Sequence, residues 1–192
     1  ISWDNKIYIF DKKYLFNSLE EAKNVPPLGE AIKVLEFPRQ KRKPFRCIAD
    51  FFANDRLDVI AFTLASAGLK ISDYERSLYD KGEFTKYYQV HGLGVELAEA
   101  LAEVLHKQIR LDLDIVPKEG HTLNDVQMKQ YVGCRYSPGY AACPDLAMNR
   151  DIFDLLNPEE FGIELSETFQ MHPEQTTCAI VVTHKEANYY NI

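Results

Sequence analysis

Hydrophobic positions near the start of the chain alternate with polar ones, whereas those in its middle recur every three or four residues. Lys6-Ile-Tyr-Ile-Phe10 alternates and is rich in branched and aromatic side chains, which predicts a strand. Ser18, with Glu21 three residues on, has the spacing of a capping box, so a short helix should begin there and stop at Pro26-Pro27. Ala31 to Phe37 is expected to be a second strand, closed by Pro38. Two apolar runs follow, Arg46 to Ala53 and Leu57 to Ser66, separated by Asn54-Asp55-Arg56; the pattern predicts an antiparallel pair with the second strand the more buried.

Beyond Gly68 the period changes. Ser72 is placed to cap a helix running to about Tyr79, which Lys81-Gly82 breaks. A long helix is then predicted from Glu83 to about Arg110. Val95, Ala98, Ala102, Leu105 and Ile109 mark one face, and Leu97, Leu101 and Val104 widen it, so this should be the central, largely buried helix. Gly92 and Gly94 are where it would kink or break. A short helix is expected from Thr122 or Asn124 through Tyr131, and another from Asp145 through Leu156. Ile163 to Met171 and Cys178 to Thr183 should be the last strands. Strands, then helices, then strands predict an α+β fold: an antiparallel twisted sheet packed with a long central helix and several shorter helices. It should not be a Rossmann fold, since no GxGxxG follows a strand.

The 192 residues suit one domain, residues 1–192, and the opening Ile-Ser-Trp-Asp reads like the middle of a longer polypeptide. A net charge of −7 argues against a general nucleic-acid binder, which needs a basic face to displace counterions. The basic run Arg39-Gln-Lys-Arg-Lys43 precedes a proline and is expected to be a solvated loop. No stretch of about twenty apolar residues is present, so no membrane-spanning helix is expected. Cys47, Cys134, Cys143 and Cys178 form no CxxC pair, which disfavours zinc and fits reduced thiols in a cytoplasmic protein.

Candidate chemistry concentrates in Gly133-Cys-Arg-Tyr-Ser-Pro-Gly-Tyr-Ala-Ala-Cys-Pro-Asp145. In Ser137-Pro138-Gly139-Tyr140, proline presets φ and glycine can take the positive φ of a type II turn, which would leave backbone groups facing outward. Arg135 supplies a planar fork for a carboxylate; alternatively it belongs to a connector and pairs with a neighbouring acid. With Tyr136 and Tyr140, the segment suits a cation that carries an adenine ring. Glu99 on the long helix either faces this loop or joins Glu96 and Glu103 in a solvated acidic stripe. Tyr189-Tyr190 either cover a ligand or end a strand. His91, His106 and Cys143 are expected to be packed or solvated, not catalytic.

Several segments, in order, make the chain resemble the C-terminal activation domain of cobalamin-dependent methionine synthase. They are Phe37-Pro-Arg-Gln40, Cys47-Ile-Ala-Asp-Phe51, Ala98-Glu-Ala-Leu-Ala-Glu-Val-Leu-His106, Arg135 through Asp145, Leu165-Ser-Glu-Thr-Phe169 and Tyr189-Tyr190. The likeness covers nearly everything from Phe37 onward, and the RxxxGYxACP pattern is specific. It implies a domain that binds S-adenosylmethionine and supports reductive methylation of cob(II)alamin to methylcobalamin. Cobalamin would be presented by a neighbouring domain, and flavodoxin or a similar reductase would supply the electron. The implied ligand-binding residues are Arg135, Tyr140, Glu99, Tyr189 and Tyr190, with backbone groups of Ser137, Pro138 and Gly139. The competing expectations are a docking module for a corrinoid protein or reductase that does not bind S-adenosylmethionine, and a self-sufficient small-molecule methyltransferase.

Overall fold

A computed structural model describes residues 1–115 and 131–192. The helix expected from Thr122 or Asn124 lies outside the described residues, apart from its last residue, Tyr131.

The fold is α+β with wholly antiparallel pairing, as the order of patterns requires, but the strands form three small sheets instead of one. In the first, β1 (Ser2–Trp3), β2 (Lys6–Ile9) and β3 (Lys33–Glu36) make a meander in the order β1-β2-β3. Between β2 and β3 lies α1 (Leu19–Ala22), capped by the Ser18 hydroxyl accepting from the Glu21 N–H at 3.3 Å. The second sheet carries the site and has the order β4-β8-β5, with β4 (Ala61–Ser66), β5 (Cys134–Tyr136) and β8 (Thr176–Val182). The third is a short pair, β6 (Glu164–Leu165) and β7 (Met171–His172), so the strand expected across Ile163 to Met171 is two ends of a hairpin.

The expected pairing of Arg46–Ala53 with Leu57–Ser66 does not form. Ile48–Phe51 is a 3-10 turn, because the Asp50 carboxylate accepts from the Cys47 N–H at 2.9 Å and gives the backbone a local alternative to a ladder. Arg39 holds the same carboxylate in a fork, at 2.6 and 2.8 Å, so the first residue of the basic run is structural. Cys47, Ile48 and Ala49 are fully buried, which is why the run looked strand-like. The partner of β4 is β8, in register from Ala61↔Val181 to Ser66↔Thr176. Leu57 is buried but lies before the strand.

Two helices cover the second sheet. α2 (Leu69–Asp80) follows Gly68 at φ +87° and begins three residues before the expected cap; the Ser72 hydroxyl instead donates to Gln175 Oε1 at 2.9 Å. α3 (Phe84–Asp112) runs unbroken through Gly92 and Gly94 and packs on α2, β4 and β8. Its buried residues are Gly94, Ala98, Ala102, His106 and Arg110, every fourth position. Of the predicted apolar face, only Ala98 and Ala102 are buried; Leu97, Leu101 and Val104 are 42%, 39% and 63% exposed. Small side chains, not large apolar ones, let the helix lie close to the sheet. At Gly94 a Cβ would stand 2.9 Å from the Gln175 side chain. α4 (Met148–Leu156) starts after Asp145, whose carboxylate accepts from the Ala147 N–H at 2.9 Å and orders the lead-in turn.

The main core lies where the two larger sheets, the Ile48 turn and α4 meet. Ile7, Leu35, Phe37, Ile48, Ile152 and Ile180 are all sealed there. Among the described residues, no helix is long and apolar enough to cross a membrane, and no group of three or more His, Cys, Asp or Glu residues is arranged to hold a metal ion.

Candidate functional site

Arg135 is on β5, in register with Val181 of β8, and not on a free loop. Strand pairing therefore fixes its backbone, and alternation along β5 sends its side chain to the opposite face from Cys134 and Tyr136. The Pro-Gly bend follows directly. The Tyr140 N–H donates to the Ser137 carbonyl at 3.3 Å and Gly139 has φ +88°, as the turn chemistry predicts. Its amides, however, do not face outward. The Gly139 N–H donates to the Cys143 carbonyl at 2.8 Å, and the Cys143 N–H to the Tyr140 carbonyl at 2.8 Å, so the loop closes on itself.

This bend, β5, α3 and the C-terminal segment enclose a cavity of about 430 Å³, within the range of small-molecule sites. Arg135, Glu99, Ser137, Tyr140, Tyr189 and Tyr190 all line it. A second cavity of about 260 Å³ adjoins it, shares Glu99, Ser137 and Tyr140, and is lined by Pro138 as well. Gly139 lines neither; it shapes the bend, and its amide is already bonded. Tyr189 and Tyr190 belong to no strand and line the cavity.

The C-terminal segment is held by three side chains for which the sequence suggested no such role. Tyr136 donates to the Asn188 carbonyl at 2.7 Å, Gln40 to the Asn191 carbonyl at 2.6 Å, and Arg46 to the Asn188 side-chain carbonyl. These bonds bracket Tyr189 and Tyr190. Gln40 ends the Phe37-Pro-Arg-Gln segment, a signal that was present without a role attached.

The electrostatics centre on Arg135, whose side chain is 12% exposed. Nη2 lies 2.8 Å from Glu103 and 3.8 Å from Glu99. Burial alone would pull its pKa down; the bond to Glu103 and the fields of Glu103, Tyr131 and Tyr189 outweigh this and hold it above the ordinary value. Among the described residues, its other terminal nitrogen, Nη1, is buried and has no hydrogen-bond partner, and neither has the buried hydroxyl of Tyr190. A buried donor left open costs free energy in each case. Burial pushes the Tyr189 phenol up to about 12, so it stays neutral at physiological pH. Glu99 remains half-exposed and only loosely paired.

Glu103, the orienting acid, was not distinguished in the sequence from the helix's other acids. It stands one turn beyond Glu99 on the same face and also accepts from the Tyr131 hydroxyl at 3.2 Å. The histidines and thiols fall where expected. His106 is fully buried beside the Tyr131 ring, and burial, helped by the positive charges of Arg110 and Arg135, lowers its pKa to about 3. His91 stacks on Tyr87. All four cysteines are free and buried, and burial pushes the Cys143 and Cys178 thiols up to about 12, outside the range of a nucleophile.

Comparisons with known proteins show the family of the chain. Residues 21–192 match the family described as vitamin B12 dependent methionine synthase, activation domain. Methionine synthase of Mycobacterium tuberculosis (strain ATCC 25618 / H37Rv) is 41% identical over 169 residues, covering 81% of this chain and 14% of that protein. Methionine synthase of Mycobacterium leprae (strain TN) is 40% identical over 169 residues with the same coverage. The chain thus spans about 14% of the length of these relatives. Among solved structures, the crystal structure of the MetH reactivation domain bound to AdoHcy superposes with a TM-score of 0.84 at 26% identity, over 97% of this chain and 56% of that one.

Proposed function

The chain belongs to the vitamin B12 dependent methionine synthase activation-domain family, and on that premise we propose that the 430 Å³ cavity binds S-adenosylmethionine for the reactivation of cobalamin. The observation that carries this is that Arg135, Glu99, Tyr140, Tyr189 and Tyr190 line one cavity with an aromatic rim. The Arg135 guanidinium there suits a carboxylate. The related reactivation domain binds AdoHcy, which bears such a group.

The residues divide the ligand between them. Arg135, held by Glu103, takes the carboxylate through its free nitrogen. Glu99 lies loosely paired and half-exposed, placed to accept from an ammonium or a ribose hydroxyl. Tyr140 and Tyr189 offer ring faces to the nucleoside base and the sulfonium. The carbonyls of Pro138 and Gly139 are the bend's remaining backbone acceptors.

S-adenosylmethionine supplies an electrophilic methyl group, so this domain needs no strong acid or base. Its contribution is proximity: these residues hold the donor in one orientation while a cobalamin-bearing neighbouring domain is brought against the cavity. Residues 1–192 are then one module of a larger cytoplasmic methyltransferase of methionine biosynthesis, served by flavodoxin or a similar reductase. Free, buried cysteines fit that compartment.

Isothermal titration of the chain with S-adenosylmethionine and with S-adenosylhomocysteine tests the assignment. Saturable binding is expected, weakened at least tenfold by Arg135→Ala. Affinity within twofold of wild type in that variant would show that the cavity has been assigned wrongly.

A further inference from the structure

A second site stands at the elbow between α2 and α3, away from the cavity at β5. Here a cleft of about 700 Å³ is lined by the carboxylates Asp73, Glu75, Asp80 and Glu174 and by the rings of Tyr79 and Tyr87. One guanidinium, Arg76, opposes the four acids among its lining residues. The rings continue outward as a chain of edge contacts: Tyr79 meets Phe84 at 5.4 Å and Tyr87 at 5.7 Å, and Tyr87 meets Tyr88 at 5.2 Å. Tyr79 is 58% exposed and Tyr88 70%. A group of large rings left in water on a soluble surface marks an interaction site more often than it marks chance.

Three features give its chemistry. Glu75 is 95% buried by its 5% exposure, and only Oε2 has a hydrogen bond, from Gln175 Nε2 at 2.6 Å. Oε1 has none, its nearest candidate being His91 Nδ1 at 3.6 Å. The negative field reaches the rings: after burial, Glu174 and Glu75 are the causes that raise the Tyr87 pKa. Phenol faces beside a cluster of carboxylates attract a cation by charge and by the ring quadrupole together.

We propose that this elbow is a docking site for a protein partner that presents a lysine- and arginine-rich segment. A polypeptide suits it better than an isolated cation, because the rings extend beyond the acidic cleft and give apolar stems of basic side chains something to lie on. Charge complementarity selects the partner's sign: the cleft is acidic within a chain whose net charge is already −7.

The test is a nuclear magnetic resonance titration of the chain with acetyl-Lys-Arg-Lys-Arg-amide at about physiological ionic strength. Spermidine serves as a small-cation control, and sedimentation monitors self-association. Saturable shifts confined to the elbow are expected. They should weaken at least tenfold in the double variant Tyr79→Ser, Tyr88→Ser and also in Asp80→Asn, with the thermal midpoint and S-adenosylmethionine titration unchanged. The exposed tyrosines are chosen so that folding is not at stake. Absence of elbow shifts, equal binding of spermidine, variants that bind the peptide like wild type, or self-association through these rings would each overturn the proposal.

Discussion

Arg135 Nη2 is held 2.8 Å from Glu103 Oε1, while Nη1 of the same guanidinium has no hydrogen-bond partner among the described residues. The ion pair with Glu103 uses one side of the arginine's fork. Glu103 comes from α3 and Arg135 from β5, so their meeting depends on how that helix lies across the sheet. An internal ion pair and a place lining the cavity therefore coexist in one side chain.

Glu103→Gln keeps the shape of the side chain but removes the charge that orients Arg135. A charge-assisted bond of this kind is worth about 1.5–3 kcal/mol. Weakening it to a neutral bond should lower S-adenosylmethionine affinity by roughly tenfold. Titration calorimetry reads the loss, and retention of full affinity would mean that the fork is fixed without Glu103.

Tyr136→Phe deletes the hydroxyl that donates to the Asn188 carbonyl. The ring remains packed against Tyr190 and Phe51, so stability should fall by only about 1 kcal/mol. The larger expected effect is local. Residues 188–192 should exchange their amide hydrogens faster, and ligand affinity should drop because Tyr189 and Tyr190 are no longer held over the cavity. Hydrogen exchange with mass spectrometry separates this from general destabilisation.

Gly133 precedes β5 at φ +94°, and a Cβ there would stand 2.5 Å from the Val182 carbonyl oxygen. Both strain and collision fall on backbone, which cannot swing away as a side chain would. Gly133→Ala should cost at least about 3 kcal/mol in urea unfolding. A loss below about 1 kcal/mol would contradict the close approach of this residue to β8.

His106 makes stability depend on pH. Its folded pKa is lowered to about 3, chiefly by burial, against an unfolded value near 6.5. Between those values the unfolded chain binds a proton that the folded chain does not. The contribution is therefore complete above about pH 6.5 and is lost as pH falls. From pH 7 to pH 5 the wild type should lose about 2 kcal/mol through this group. His106→Gln should flatten that slope, as measured by urea unfolding at the two pH values.

Much of the site could be foreseen because its chemistry is local. Pro138 and Gly139 dictate a bend whatever surrounds them, and Arg135 stands next to that bend in the chain. Glu99 was separable from Glu96 only by the family resemblance, and Glu103 was not separated at all. The packing of α3 was misjudged for a related reason. Hydrophobicity points to Leu97, Leu101 and Val104, yet close approach to the sheet requires the small Gly94, Ala98 and Ala102. Likewise, the apolar run at Cys47–Ala49 is buried as expected, but a carboxylate three residues along turned it into a 3-10 turn.

Near-neighbour forces specify the bend, the helix spans, the antiparallel class and the identity of the charged and aromatic groups, since capping, φ preference and periodicity act over a few residues. Pairings between distant segments are another matter. That β4 joins β8, that Glu103 reaches Arg135, and that Gln40, Arg46 and Tyr136 hold the last residues over the cavity depend on which surfaces pack together. Those choices follow from summed burial and steric fit across the whole chain, which no local window of residues contains.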